Sequence, residues 1–213
     1  MPPTAEDQTH SQRRQQILAG ALDVFSRKGF EKATNRDIAE AAGINSPTLI
    51  YYYFADKADL LRQVMYAFAP ILRLVEHPDD LRQQPLPEAL HTIAHTYVQM
   101  LDHPVGIAMF RLILSEVARN PDFARLFNSI APQRGLQMLA RLMQQHIENG
   151  TLRPMSPDAA ARAFVGPLLA YIMTREVLGH AEALAIPPDE MATLTVELFL
   201  RGALLEPTNP TQE

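Results

Sequence analysis

The sequence predicts an all-α protein in which a short three-helix module precedes a larger helical body. Three observations lead there. Apolar residues recur at helical spacing through successive segments, no stretch of any length alternates like a half-buried strand, and glycines or prolines separate the segments. The length, 213 residues, suits one large domain or two small ones and can bury a sizeable core.

Taken in order, residues 1–10 lack the basic start and apolar stretch of a signal peptide and are expected to be disordered. Ile17, Leu18, Ala21, Leu22, Val24 and Phe25 then define an amphipathic helix over residues 11–27. Gly29 stops it, and Phe30 tucks back into a small core. Thr34 is a good N-cap for a second, short helix. Asp37, three residues on, sits where a capping-box acid belongs, although it is shorter than the usual Glu or Gln. Ile38, Ala39 and Ala42 give that helix its apolar face, the small Ala41-Ala42 pair admits a neighbouring helix, and Gly43 makes the turn.

Asn45 or Ser46 can cap the third helix, with Pro47 in the first helical position, where no N–H donor is needed. Leu49, Ile50, Tyr53 and Phe54 form its inward face, leaving Thr48, Tyr51 and Tyr52 outward. Asp56 is placed to cap the next helix, which Lys57 begins.

Two short helices joined by a glycine turn are the layout of a helix-turn-helix DNA reader. A hydroxyl at Tyr51 or Tyr52 can donate to a phosphate oxygen, and Lys57 can reach the same backbone. Residues 11–62 resemble the N-terminal domain of TetR-family transcriptional regulators. The matching residues are Ile17, Ala21, Phe25, Gly29-Phe30, Thr34, Asp37-Ile38-Ala39, Ala42-Gly43, Ser46, Tyr51-Tyr52-Tyr53-Phe54, Lys57 and Leu60.

The resemblance implies a homodimer whose C-terminal domain binds a small molecule and moves two DNA readers apart. It places Thr34, Asn35 and Arg36 near phosphates and Ser46, Pro47, Thr48 and Leu49 at the exposed start of the recognition helix. It assigns backbone contacts to Tyr51, Tyr52 and Lys57. The turn has one residue more than the family's usual one, and Asn45 reads as the insertion. Pro47 and Leu49 offer few hydrogen bonds, so direct base readout would rest on Asn45, Ser46 and Thr48.

The formal net charge is −5. Within residues 1–62 the charges balance: Arg13, Arg14, Arg27, Lys28, Lys32, Arg36, Lys57 and Arg62 against Glu6, Asp7, Asp23, Glu31, Asp37, Glu40, Asp56 and Asp59. The net acidity therefore belongs to residues 63–213, and a DNA-binding face must be a local patch. There is no cysteine, which excludes disulfides and thiolate metal sites and suits a cytoplasmic protein. The most apolar run, residues 163–174, is too short to span a membrane.

Further helices are expected over residues 60–75, 88–101, 105–119, 123–149 (bent near Pro132), 158–178 (kinked at Pro167) and 188–205, with a disordered tail over 206–213. The domains follow as 11–58 for the DNA reader and 59–205 for the ligand-binding and dimerisation body. Phe164, Leu168, Leu169 and Ile172, with Leu194, Leu198 and Phe199, offer more apolar surface than one thin layer buries. They form either a four-helix subunit interface or an internal core, and the resemblance favours the interface.

Tyr97, Met100, Met109, Phe110 and Tyr171 suit a pocket for a small, largely apolar effector and equally suit a core; His95 and Arg175 are weaker candidates. Arg111, in an apolar stretch, either snorkels to the surface or anchors an acidic ligand group, with Glu116 or Glu176 as possible pairs. His91 and His95 share a helical face, but no third ligand accompanies them, so no metal and no cofactor is expected.

The sequence thus favours a dimeric, ligand-released repressor on a palindromic double-stranded operator. An activator or a ligand-independent regulator is the alternative. An all-α enzyme or carrier fits worse, because no nucleophile–base set, glycine-rich phosphate loop or GxSxG is present.

Overall fold

The computed structural model describes residues 5–68, 74–75, 78–102, 104–130 and 132–205. Its helices are α1 (Ala5–Lys28), α2 (Asn35–Ala41), α3 (Thr48–Tyr53), α4 (Lys57–Phe68), α5 (Pro78–Arg82) and α6 (Leu86–Val98). A 3-10 turn, Gln99–Asp102, leads to α7 (Pro104–Arg119), α8 (Pro121–Ile130), α9 (Pro132–Glu148), α10 (Pro157–Glu176), α11 (Ala181–Ala185) and α12 (Pro188–Ala203). Among the described residues there is no strand; one isolated antiparallel bridge joins Leu152 and Leu204.

The chain forms two compact units, Met1–Ala69 with Pro104–Ile130, and Pro70–His103 with Ala131–Glu213. The first is wider than a reader over 11–58: α4, α7 and α8 belong to it. Its core is built on α1, whose Ile17, Ala21 and Phe25 are fully buried and which meets α2, α4 and α7. Helix α1 begins at Ala5, so residues 5–10 are helical rather than disordered, while 1–4 and the 206–213 tail lie outside the described residues. The early start has a physical reason in the contacts of His10, described below.

In the second unit, α6 packs on α12 and α9 on α10. The predicted helix over 123–149 is two helices, α8 and α9, each opened by a proline, and they fall in different units. Proline is favoured at a helix start because its missing N–H has no partner there. The helix expected to reach residue 75 is described only to Phe68. Helix α10 continues through Pro167. At its start Ser156 accepts from the Ala159 N–H at 3.3 Å.

Several bonds fasten the ends of α10 and α12. Arg153 N–H donates to the Ala203 carbonyl at 2.9 Å, and Leu205 N–H to the Thr151 carbonyl at 3.1 Å. The Arg153 guanidinium donates to the Gly202 carbonyl at 2.8 Å. Helix α11, absent from the sequence reading, is held by α10. Tyr171 Oη donates to the Ile186 carbonyl at 2.7 Å, and Arg175 Nη1 donates to the carbonyls of Ala183, Leu184 and Ile186 at 3.1–3.3 Å.

Candidate nucleic-acid interface

The capping box of α2 is complete despite the short aspartate. Asp37 N–H donates to Thr34 Oγ1, and Thr34 N–H donates back to Asp37 Oδ2, both at 3.2 Å. Lys28 Nζ donates to the other carboxylate oxygen at 2.7 Å. That bond, with hydrogen bonding to the carboxyl from the Thr34 side chain and backbone, holds the Asp37 carboxyl down at about 2, against an ordinary 3.8. A cap of this kind stabilises a helix by about 1 kcal/mol. For a seven-residue helix, too short to form alone, it fixes where the turn begins.

The end of α2 is equally defined. Gly43 takes φ +64°, its N–H donates to the Glu40 carbonyl, and Ile44 N–H donates to the Ala39 carbonyl. This is a Schellman ending, with the buried Ile44 as its apolar contact. The close neighbour foreseen for Ala41-Ala42 is α1 at Gly20. A Cβ there would stand 2.7 Å from the Ala42 nitrogen, so only glycine admits this approach. Gly20 is a positioning residue that the sequence reading passed over.

Helix α3 follows with one apolar and one open face. Ile50 and Phe54 are each 2% exposed, whereas Tyr51 and Tyr52 are 64% and 72% exposed, and Thr48 is open beside them. Leu49 and Tyr53 are half-buried rather than fully inward. Neither Asn45 nor Ser46 caps α3 with its side chain. Pro47 holds the cap position, and the Ser46 and Pro47 carbonyls accept from Leu49 and Ile50. The side chains of Asn45 and Ser46 are exposed, while Pro47 is half-buried.

Asp56 caps α4 as foreseen, accepting from the Asp59 N–H at 2.7 Å. Lys57 is more engaged than a free phosphate-binding lysine. Its Nζ donates to the carbonyls of Glu31 at 3.0 Å and Ala33 at 3.4 Å, and lies 4.8 Å from the centroid of the Phe30 ring. It thereby ties the start of α4 to the loop before α2. At that loop Thr34 and Arg36 are exposed and Asn35 is half-buried.

The pocket candidates divide between the two units. Met109, Phe110 and Arg111 stand on α7 in the first unit, the others in the second. Met109 is buried core, and Arg111 is exposed, as the snorkelling reading requires. Glu116 pairs with Arg119, and Glu176 with Arg175. Tyr171 and Arg175 serve as the staple on α11 described above. His95 Nδ1 bonds Asp189 at 3.1 Å, joining α6 to α12, and its ring stacks on His91. Tyr97 stays a candidate, its hydroxyl pushed up to about 12 by burial and therefore neutral; Met100 is half-buried.

The proposed dimer residues divide. Phe164, Leu168 and Ile172 are fully buried within the chain, and Phe164 meets Phe199 at 5.3 Å, so these belong to the internal core and not to a subunit face. Leu169, Leu194 and Leu198 are 41%, 46% and 60% exposed.

A capped short helix, a glycine turn and a second helix with an open polar-aromatic face define a helix-turn-helix transcriptional regulator. Residues 17–64 match the bacterial regulatory proteins of the tetR family, and residues 88–202 match the AefR-like transcriptional repressor C-terminal domain. The chain belongs to the TetR family and is a DNA-binding transcriptional repressor by class.

Among its relatives is the transcriptional repressor KstR2 of Mycobacterium tuberculosis, 27% identical over 144 residues, covering 67% of this chain and 70% of that one. Another is the repressor Rv1474c of the same species, 26% identical over 180 residues, covering 84% and 90%. The fold is that of FadR from Bacillus subtilis, solved with stearoyl-CoA, at a TM-score of 0.69 and 19% identity over 88% of this chain and 98% of that one. A TetR-family regulator from Mesorhizobium loti superposes with a TM-score of 0.68 at 22% identity, covering 92% and 98%. No described helix is long and apolar enough to cross a membrane.

Proposed function

We propose that this chain works in the cytoplasm as a homodimer, sets α3 of each subunit into a major groove of a palindromic operator, and is released by a small effector bound in the second unit. The observation that carries the reading is the split of α3, with Ile50 and Phe54 fully packed and Thr48, Tyr51 and Tyr52 left to solvent. Three adjacent open side chains, two of them phenols, suit base and phosphate contact. Asn45, Ser46 and Thr48 would read bases. Tyr51, Tyr52, Thr34, Asn35, Arg36 and Lys57 would hold the backbone, with Lys57 also bracing the loop it binds, and Pro47 and Leu49 supply apolar contact.

Leu169, Leu194 and Leu198 support the dimer, because an apolar row this open on two long helices is best covered by a second copy. The effector would be small and largely apolar, and it acts only as far as it binds the released state better. No catalytic activity is assigned.

Fluorescence anisotropy on a labelled duplex from the upstream region of its own gene, against a scrambled duplex and across a salt series, tests the reading. Tight, salt-dependent binding to the native duplex alone is the expected result. Equal weak binding there and to every duplex recovered from a genome-wide operator selection would overturn it. Leu198→Glu should leave a monomer in sedimentation and weaken operator binding; a dimer of unchanged stability would remove the proposed interface.

A further inference from the structure

Helix α9 carries two arginines and a single acid. On several other helices arginine stands beside an acid three or four residues away, as Arg27 does with Asp23, Arg62 with Asp59, and Arg162 with Asp158. On α9, Arg134 and Arg141 have no acid at either spacing. The only acid of that helix is Glu148, at its last residue, where it accepts from the Gln144 amide. Two turns apart, Arg134 and Arg141 share one face, with Gln137 and Met138 between them.

That face lines a cleft of about 210 Å³ together with Val75 and Arg82. Among the described residues Arg82 reaches an acid only at 3.7 Å, to an exposed Asp79 carboxylate. No carboxylate among the described residues lines the cleft. Three arginines thus line one small space, in the half of the chain that holds all of its net negative charge. Placing like charges together costs energy, and an anion seated among them offsets it.

We propose that this cleft is an anion-binding site for a phosphorylated small molecule, held through a diphosphate group. Guanidinium forks match phosphate oxygens two at a time. Three positive groups suit a diphosphate better than a single carboxylate. The Gln137 amide adds a donor, and Val75 and Met138 give apolar contact to whatever the phosphate is attached to. The volume is below that of a drug-sized pocket, so the cleft holds a head group rather than a whole amphiphile. This site is independent of operator binding, and its test does not read DNA.

Isothermal titration calorimetry of the full chain with inorganic pyrophosphate, methyl diphosphate and acetate tests it. The expected result is one diphosphate per chain, no comparable heat with acetate, and a loss of about tenfold or more in affinity for the double variant R134Q/R141Q, which removes two charge-assisted contacts. R82Q should lose less, because its charge is shared with Asp79. Tighter methyl diphosphate marks an organic ester as the ligand and tighter pyrophosphate a free anion; either supports the site. Acetate binding as well as pyrophosphate, no binding at all, or equal binding by R134Q/R141Q with an unchanged melting curve would overturn it.

Discussion

The imidazole of His10 packs on the phenol ring of Tyr53, with centroids 4.7 Å apart. The same ring meets Tyr52 edge-on at 5.9 Å, and Tyr52 meets Tyr53 at 5.2 Å. The first turns of α1 are therefore part of the wall that supports α3. Three rings in mutual contact restrict the rotamers of the exposed Tyr52, whose hydroxyl is proposed to meet a phosphate.

His10→Ala removes that support without touching a base-reading residue. One aromatic pair is worth about 0.5–1.5 kcal/mol, so affinity should fall about two- to tenfold, on native and scrambled duplexes alike. Anisotropy on both duplexes checks it, and an unchanged affinity would mean that Tyr52 needs no support.

Gly20→Ala sets two effects against each other. Alanine is the better helix former by about 1 kcal/mol. The new Cβ would lie 2.7–2.9 Å from the backbone and Cβ of Ala42, and a backbone cannot yield as a flexible side-chain end can. The clash should win, with a net loss of about 1–3 kcal/mol. Urea denaturation measures it, and a more stable variant would show that α1 and α2 stand further apart.

Acid should act on the capping box. The Asp37 carboxyl is held at about 2, below its ordinary 3.8. A depressed carboxyl contributes stability that is complete above the unfolded value and is lost as pH falls through the folded one. Stability should therefore decline between roughly pH 3.8 and pH 2. In Asp37→Asn this part of the pH profile should be flat while stability at pH 7 is lower, as read from thermal midpoints.

His146 should impose a second, milder pH limit. It is buried, neither ring nitrogen has a partner among the described residues, and burial lowers its pKa below the ordinary 6.5. The unfolded chain then binds the proton more readily than the folded one. The stability is intact above about pH 6.5 and falls as pH drops toward the folded value. His146→Leu should abolish the slope between pH 7.5 and 5.5 in urea titrations. A slope that persists would assign it to another group.

The reader was legible in the sequence because its signals are local. Thr34, Asp37 and Gly43 act on neighbours within a few residues, and caps and turns are written at that range. What escaped was set by partners far along the chain. His10 looked like part of a polar terminus because Tyr53 lies 43 positions away, and Gly20 looked like an ordinary helix glycine because Ala42 is on another element. The roles of Phe164, Leu168 and Ile172 depended on which side of α10 meets its own chain, and apolar spacing alone does not decide that. The bonds of Arg175, only a weak pocket candidate in the sequence, were hidden because the carbonyls it binds belong to a short helix with no periodicity of its own.

The bonds that join residues 151–153 to residues 202–205 fasten the start of α10 to the end of α12. Two helices clasped at one end keep a fixed axial register, and sliding past one another would break every clasp together. Leu169 on α10 and Leu194 and Leu198 on α12 are therefore carried as one plate. Any rearrangement of the second unit that an effector produces must swing this plate as a hinge, because shear within it is locked.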